Sequence, residues 1–229
     1  MSRSTNPFVI LAGASILMFN AVSCRAASAA VAIPDAATDT PLAAAPGEQA
    51  AVFAGGCFWG IQAVFEHVKG VVSATSGYSG GHVANPDYDE VSSGTTGHAE
   101  SVKVVFDPSK ITYGQLLKVF FSVAHDPTEL NRQGPDEGTQ YRSAIFYMNA
   151  EQQRVATAYI AQLTQAKVYD RPIVTQVVAY SAFYPAEAYH QDFAIRNPDN
   201  AYIVINDAPK VVNLKRELPD LYTNVPAHS

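Results

Sequence analysis

The sequence predicts an α+β fold, a two-layer sandwich with helices packed on one ferredoxin-like β-sheet. Three observations carry that expectation. The 229 residues are 48% hydrophobic and 16% charged, enough apolar material for one core of moderate size. Strand-like and helix-like apolar patterns follow one another in the order β-α-β-β-α-β-α-β. Two polar loops, Ser79 to His98 and His125 to Tyr141, are longer than a compact domain usually carries without a use for them.

Ala51 to Ala54 is a short apolar run that ends in the pair Gly55-Gly56, a strand entering a turn. Ile61, Val64, Phe65 and Val68 then recur at helical spacing, so a helix opens close to Cys57. Val71 to Tyr78 reads as the second strand. Val102, Val104 and Phe106 alternate with charged or small neighbours, a half-buried strand that stops at Asp107-Pro108. Thr112 and Gln115 form a capping-box pair before Leu116, Leu117, Val119, Phe120 and Val123, an amphipathic helix. Ala144 to Met148 is a strand, and Asn149 caps a helix that runs to Thr164. Ile173 to Ala179 is the last core strand, and Pro185 to Ile195 a short helix or turn.

The ends of the chain differ from this middle. Phe8 to Phe19 is an unbroken run of apolar and small residues behind Arg3, too short to span a bilayer and suited to a secretory signal. Ala27-Ser28-Ala29 offers an A-x-A cleavage pattern, which makes residues 1–29 a signal peptide and the protein exported and periplasmic. Ala21-Val22-Ser23-Cys24 resembles a bacterial lipoprotein box, in which Cys24 would be lipidated, although alanine stands where that box usually has leucine. Residues 30–49, mostly Ala, Pro, Thr and Asp, read as a disordered tether. Residues 50–205 hold the folded domain, and 206–229 a C-terminal tail. The net charge of −6 makes nucleic acid and anionic membrane poor partners. Arg3, Arg25, Asp35 and Asp39 cancel over residues 1–46, so the rest of the chain carries that charge.

There are two cysteines, Cys24 and Cys57. The domain holds Cys57 alone, which excludes an internal structural disulfide and a multi-cysteine zinc site there. In "GGCFWG" the strand-glycine-cysteine-helix order places this sulfur at a helix N-terminus, where free N–H groups favour a thiolate and lower its pKa. A buried, inert cysteine is the competing reading. Phe58 and Trp59 are core filler or, because neighbours on a helix point apart, walls of a pocket for a small apolar group. Glu100, in "TGHAE", leads from a polar loop into an apolar strand; partial burial there would raise its pKa and leave it a proton donor. Tyr141, in "DEGTQYRS", and Tyr88, in "NPDYDEV", can bury their rings and present their hydroxyls to a site.

"GGCFWG", "NPDYDEV", "GHAE", "DEGTQYRS" and "FYPAEAYHQDF", in this order, resemble the A-type peptide methionine sulfoxide reductases over residues 50–205. The resemblance implies a catalytic domain there, with an α+β sandwich around a mixed sheet and Cys57 as nucleophile. It implies that Phe58 and Trp59 bind the substrate methyl group, and that Glu100, Tyr88 and Tyr141, supported by Asp136, bind and protonate the sulfoxide oxygen. It further implies reduction of the S epimer in oxidised proteins and free methionine sulfoxide, with no metal, flavin or nicotinamide cofactor. The protein would act as a monomer. Many members carry resolving cysteines in a C-terminal tail. The tail here has none, so a thioredoxin-like protein or a small thiol would have to reset Cys57. Two rival readings remain: a cysteine hydrolase using His98, His125 or His190 as base, and a tethered domain that binds oxidised methionine without turnover.

Overall fold

A computed structural model describes Met1 and residues 30–228. The signal-peptide and lipoprotein readings, and with them Cys24, fall outside the described residues.

In chain order the elements are β1 (Gln49–Gly55), α1 (Phe58–Glu66), β2 (Val71–Ser79), α2 (Tyr88–Ser92), β3 (Ala99–Phe106) and α3 (Tyr113–Val119). A small hairpin of β4 (Arg132–Gln133) and β5 (Asp136–Glu137) follows, then β6 (Ser143–Tyr147), α4 (Ala150–Gln165), β7 (Gln176–Ala179) and β8 (Phe183–Pro185). The chain closes with α5 (Phe193–Arg196) and α6 (Ala208–Glu217). Six strands form one sheet in the order β7-β6-β1-β3-β2-β8. Only the β6–β7 pair is parallel, so the sheet is mixed. Its centre, β6-β1-β3-β2, has the expected ferredoxin-like order.

Alternation along the strands explains how both faces are filled. On β1, Ala51 and Phe53 enter the main core, whereas Val52 and Ala54 join a second cluster with Ala99, Ala144 and Phe146 on the opposite face. Phe53 lies opposite Val102 on β3 and Ile145 on β6. Its ring stacks between Phe65 of α1, at 5.1 Å, and Phe120 just after α3, at 5.0 Å, which ties both helices to the sheet.

The two caps read from sequence are made. Thr112 Oγ1 accepts the Gln115 N–H at 3.1 Å and Gln115 Oε1 accepts that of Thr112 at 3.0 Å, while Asn149 Oδ1 accepts from Gln152 N at 2.8 Å. α3 runs on as a π turn, Phe120–Ala124. The strand expected over Ile173 to Ala179 starts at Gln176, and it is a mostly exposed edge strand, not a core one; the stretch from Pro185 splits between the end of β8 and α5. β8 is a three-residue edge strand that ends in proline, too short for a period-two pattern to reveal.

Two terminal expectations need correction. The disordered tether of 30–49 is, over residues 31–43, a strap bound along α3 and α4. Val31 exchanges hydrogen bonds with Ser122, Ile33 is buried, and Pro34 accepts the Tyr159 hydroxyl at 2.6 Å. Asp39 accepts from the Thr112 hydroxyl and from Gly114 N at 2.9 Å, and a Cβ at Gly114 would collide with it. Composition favoured disorder, but these few anchors decide the local structure. The tail of 206–229 is likewise no tail: α6 packs on α1, burying Leu214, with Pro209 in its first turn and Lys215 and Arg216 in its last.

Candidate active site

β1 ends at Gly55, and Gly56 turns the chain with φ +95° so that Cys57 becomes the N-cap of α1. Neither glycine can be enlarged easily: a Cβ at Gly55 would lie 2.9 Å from the His125 ring, and one at Gly56 2.5 Å from Gln133. The turn therefore sets the sulfur at a helix N-terminus, as the residue order indicated, and also buries it, with 8% of Cys57 exposed. Burial decides the proton. It pushes the thiol well above its usual range, Glu100 and Asp207 add to that, and the Trp59 backbone N–H and Lys210 only partly oppose them. The lowered pKa expected from the helix terminus is overridden, and the resting sulfur is a thiol.

Glu100 sits in phase with Val102, Val104 and Phe106 on β3, so it points into the main core while Ala99 faces the other way. It is 3% exposed, and its Oε2 accepts the Phe58 backbone N–H at 3.0 Å. Burial raises its pKa to about 8; the Phe58 N–H pulls it down, and Asp136 and Asp207 push it up. At neutral pH Glu100 is a carboxylic acid, in keeping with the expectation from sequence.

Tyr88 opens α2, with its backbone N–H on Glu187 Oε1 at 2.9 Å and its ring 4.4 Å from that of His190. Tyr141 ends the 3-10 turn Thr139–Tyr141 ahead of β6. Burial, then Glu100, raises the pKa of both phenols, and both also feel Cys57 and Asp136. Asp136, on β5, accepts the Tyr202 hydroxyl, and burial raises its pKa.

The two rings after Cys57 diverge, as neighbours on a helix must. Phe58 is fully buried, 5.9 Å from the Tyr78 ring and 5.1 Å from His190. Trp59 is half-buried, stacked on Phe193 at 3.9 Å with the Tyr202 ring edge-on at 5.9 Å. Its indole N–H donates to His190 Nδ1 at 3.1 Å, and burial lowers that histidine's pKa, so His190 is neutral. The other histidines are engaged elsewhere. His98 accepts from Gly81 N and donates to the Val83 carbonyl, and His125 lies between the Phe120 carbonyl and Ser143. Burial lowers the His125 pKa to about 4. None of the three hydrogen-bonds Cys57, so the hydrolase reading lacks its base.

The sulfur is reached through a cleft of about 30 Å³, between the β4–β5 hairpin and the segment leading into α6, lined by Gln133, Pro135, Asp136, Tyr202, Asn206 and Lys210. Cavities of about 190, 260 and 470 Å³ lie elsewhere and hold none of the residues around Cys57. Sequence reasoning missed Tyr202, Asp207 and Lys210, all on the segment read as domain end or tail. A proline in a helical first turn ahead of Val211, Leu214 and Leu218 could have shown α6, though nothing local shows that Lys210 faces a cleft.

Fold and site set a buried cysteine at a helix start beside a protonated carboxyl, with two phenols acting on it and no histidine hydrogen-bonded to the sulfur. Residues 49–220 match the family described as peptide methionine sulfoxide reductase, and the chain belongs to it. It is thereby an oxidoreductase that returns methionine sulfoxide to methionine in protein repair, of the peptide-methionine (S)-S-oxide reductase type. Similar curated proteins include a peptide methionine sulfoxide reductase of Mesorhizobium japonicum, 60% identical over 80% of this chain and 94% of that one. Another, of Synechocystis, is 52% identical over 82% and 89%. Among solved structures, methionine sulfoxide reductase A of Corynebacterium diphtheriae has TM-score 0.58 and 36% identity, covering 68% of this chain and 77% of that one. Mxr1 from Saccharomyces cerevisiae in reduced form has TM-score 0.60 and 30% identity, covering 72% and 92%.

Proposed function

We propose that Cys57 is the nucleophile and Glu100 the general acid in reduction of methionine-S-sulfoxide, free or in proteins. The observation that carries this is the buried, protonated Glu100, which accepts the backbone N–H of Phe58, the residue next to the one cysteine of the domain. A sulfoxide sulfur is a poor electrophile until its oxygen is hydrogen-bonded or protonated. Glu100 would deliver that proton while the Tyr88 and Tyr141 hydroxyls stabilise the charge developing on oxygen, with Asp136 in support. Trp59, with Phe58 behind it, would hold the S-methyl group. The Cys57 thiolate attacks the activated sulfoxide sulfur, and the oxygen then passes to Cys57 as its bond to the substrate sulfur breaks: a thiol and a sulfoxide go in, and a sulfenic acid and methionine come out, with no net proton change.

The reset needs two external thiols. The first attacks the sulfenic acid, releasing water and leaving a mixed disulfide; the second frees Cys57 and departs as disulfide. A thioredoxin-like protein or small thiol fits that role, because no other cysteine lies in residues 30–229. The reading also has the protein exported to the periplasm and monomeric, either cleaved after Ala29 or anchored by lipidated Cys24. The mass of the mature N-terminus distinguishes these two forms.

The experiment is turnover of both sulfoxide epimers with dithiothreitol. Wild type should reduce the S epimer, and Cys57→Ser should fall below detection. Turnover by the serine variant overturns the nucleophile, and preference for the R epimer overturns the substrate assignment.

A further inference from the structure

We propose that Lys210 is a positioning residue for the Cys57 thiolate: clamped by Asp207 in the wall of the cleft beside the sulfur, its ammonium is the countercharge that Cys57 needs when it loses its proton. This rests on Cys57 being the reacting sulfur.

Lys210 stands in the first turn of α6, and Asp207 closes the π turn Ile203–Asp207 just before it. Their contact is 3.1 Å, with side chains 7% and 0% exposed. A lysine on a helix ordinarily lays its stem along the surface and keeps its nitrogen in water. Here the stem turns inward and lines the same narrow cleft as Cys57. Gly60 explains how the pair fits. It is the third residue of α1, three past the cysteine, and a Cβ there would collide with Asp207 Oδ1 and lie 2.7 Å from Lys210 Nζ. The pair is therefore seated on bare backbone in the helical turn that begins at Cys57.

Stability alone does not account for it. Asp207 Oδ2 is buried without a partner, and a buried ion pair seldom outperforms apolar side chains of the same volume. The charges around the sulfur supply a reason. Glu100 comes from β3, Asp136 from β5 and Asp207 from the π turn, and the phenols of Tyr88, Tyr141 and Tyr202 also feel the sulfur's charge. Of the groups acting on Cys57, Lys210 is the cation. Its charge draws the thiol's titration down, whereas Asp207, which fixes it in place, pushes the titration up. An ammonium has three donors, and Asp207 occupies one. Lys210 is thus held, not quenched.

Opposite signs make this testable. The rate of Cys57 alkylation by iodoacetamide is measured against pH on the full chain, read at the Cys57 peptide by mass spectrometry, with circular dichroism to verify folding. Asp207→Asn should speed alkylation below the midpoint by about threefold to tenfold. Adding Lys210→Met to that variant leaves no buried carboxylate unpaired, and it should slow alkylation by about tenfold relative to Asp207→Asn alone. If the lysine substitution leaves the folded protein's pH profile unmoved, or if both substitutions shift it in the same direction, the proposal fails. Alkylation needs no sulfoxide, so a wild type inactive on sulfoxides would overturn the reductase mechanism and leave this result standing.

Discussion

Glu151 and Arg154 on α4, and Asp207 and Lys210 at the start of α6, are both acid–base pairs three residues apart. The first has side chains 45% and 52% exposed, and its hydrogen bonds lower the Glu151 pKa, as water permits. The second is sealed against α1, and burial raises the Asp207 pKa even though Lys210 opposes it. Identical spacing thus gives a solvated surface contact in one place and a buried pair acting on the Cys57 sulfur in the other. Dielectric surroundings, not residue types, separate the two. The same contrast runs through the chain: α4 has water on one flank, while α1 is covered on nearly every side and carries Glu66, whose pKa burial pushes up to about 9.

The sharpest break of that contrast is Glu100→Gln, which keeps a group to accept from Phe58 N but carries no transferable proton. Steady-state turnover should fall by about 10²–10⁴-fold. In wild type, activity should decline as pH rises through about 8, where Glu100 ionises, and that limb should vanish in the variant. Stability also falls with rising pH, beginning from a lower pH. Between pH 4.5 and about 8 the unfolded chain has lost the Glu100 proton and the folded one retains it, so folding free energy weakens as pH rises across that window. Denaturant melts at pH 8 should therefore find Glu100→Gln more stable than wild type, by roughly 1–3 kcal/mol.

Gly60→Ala comes next. Alanine at an ordinary helix position would stabilise by up to about 1 kcal/mol. Here its methyl must displace the Asp207–Lys210 pair, so urea titration should show a loss of about 1–3 kcal/mol. A gain would mean that the pair is not packed on Gly60. Asp39→Ala tests the strap. Losing acceptors for Thr112 and Gly114 should cost about 1–2 kcal/mol and expose residues 31–43 to limited proteolysis, whereas a disordered tether would register neither change. Smallest of all is the double change Glu151→Ala with Arg154→Ala, expected to move Tm by no more than about 2 °C.

Much of the fold was legible because its signals are local. Thr112 with Gln115, and Asn149, satisfy the first N–H groups of their own helices, and a cap depends on neighbours within one turn. The inward aim of Glu100 follows from its phase with Val102 and Val104, and the place of Cys57 from a glycine pair between a strand and a helix. β8 and the strap gave no such signal, since three residues show no period and Asp39 binds partners more than seventy positions away.

The sequence by itself thus determined the order of the central strands and helices, the cysteine at a helix start and the inward carboxyl. Tertiary structure decided the rest. Whether the sulfur rests as thiol or thiolate is a sum over burial, Glu100, Asp207, the Trp59 N–H and Lys210, which arrive from α1, β3 and the α6 region. Whether Lys210 meets water or the cleft depends on how α6 docks over Gly60. Periodicity is a property of one segment, but desolvation and Coulomb energy belong to the distances between segments, and only the packed chain sets those.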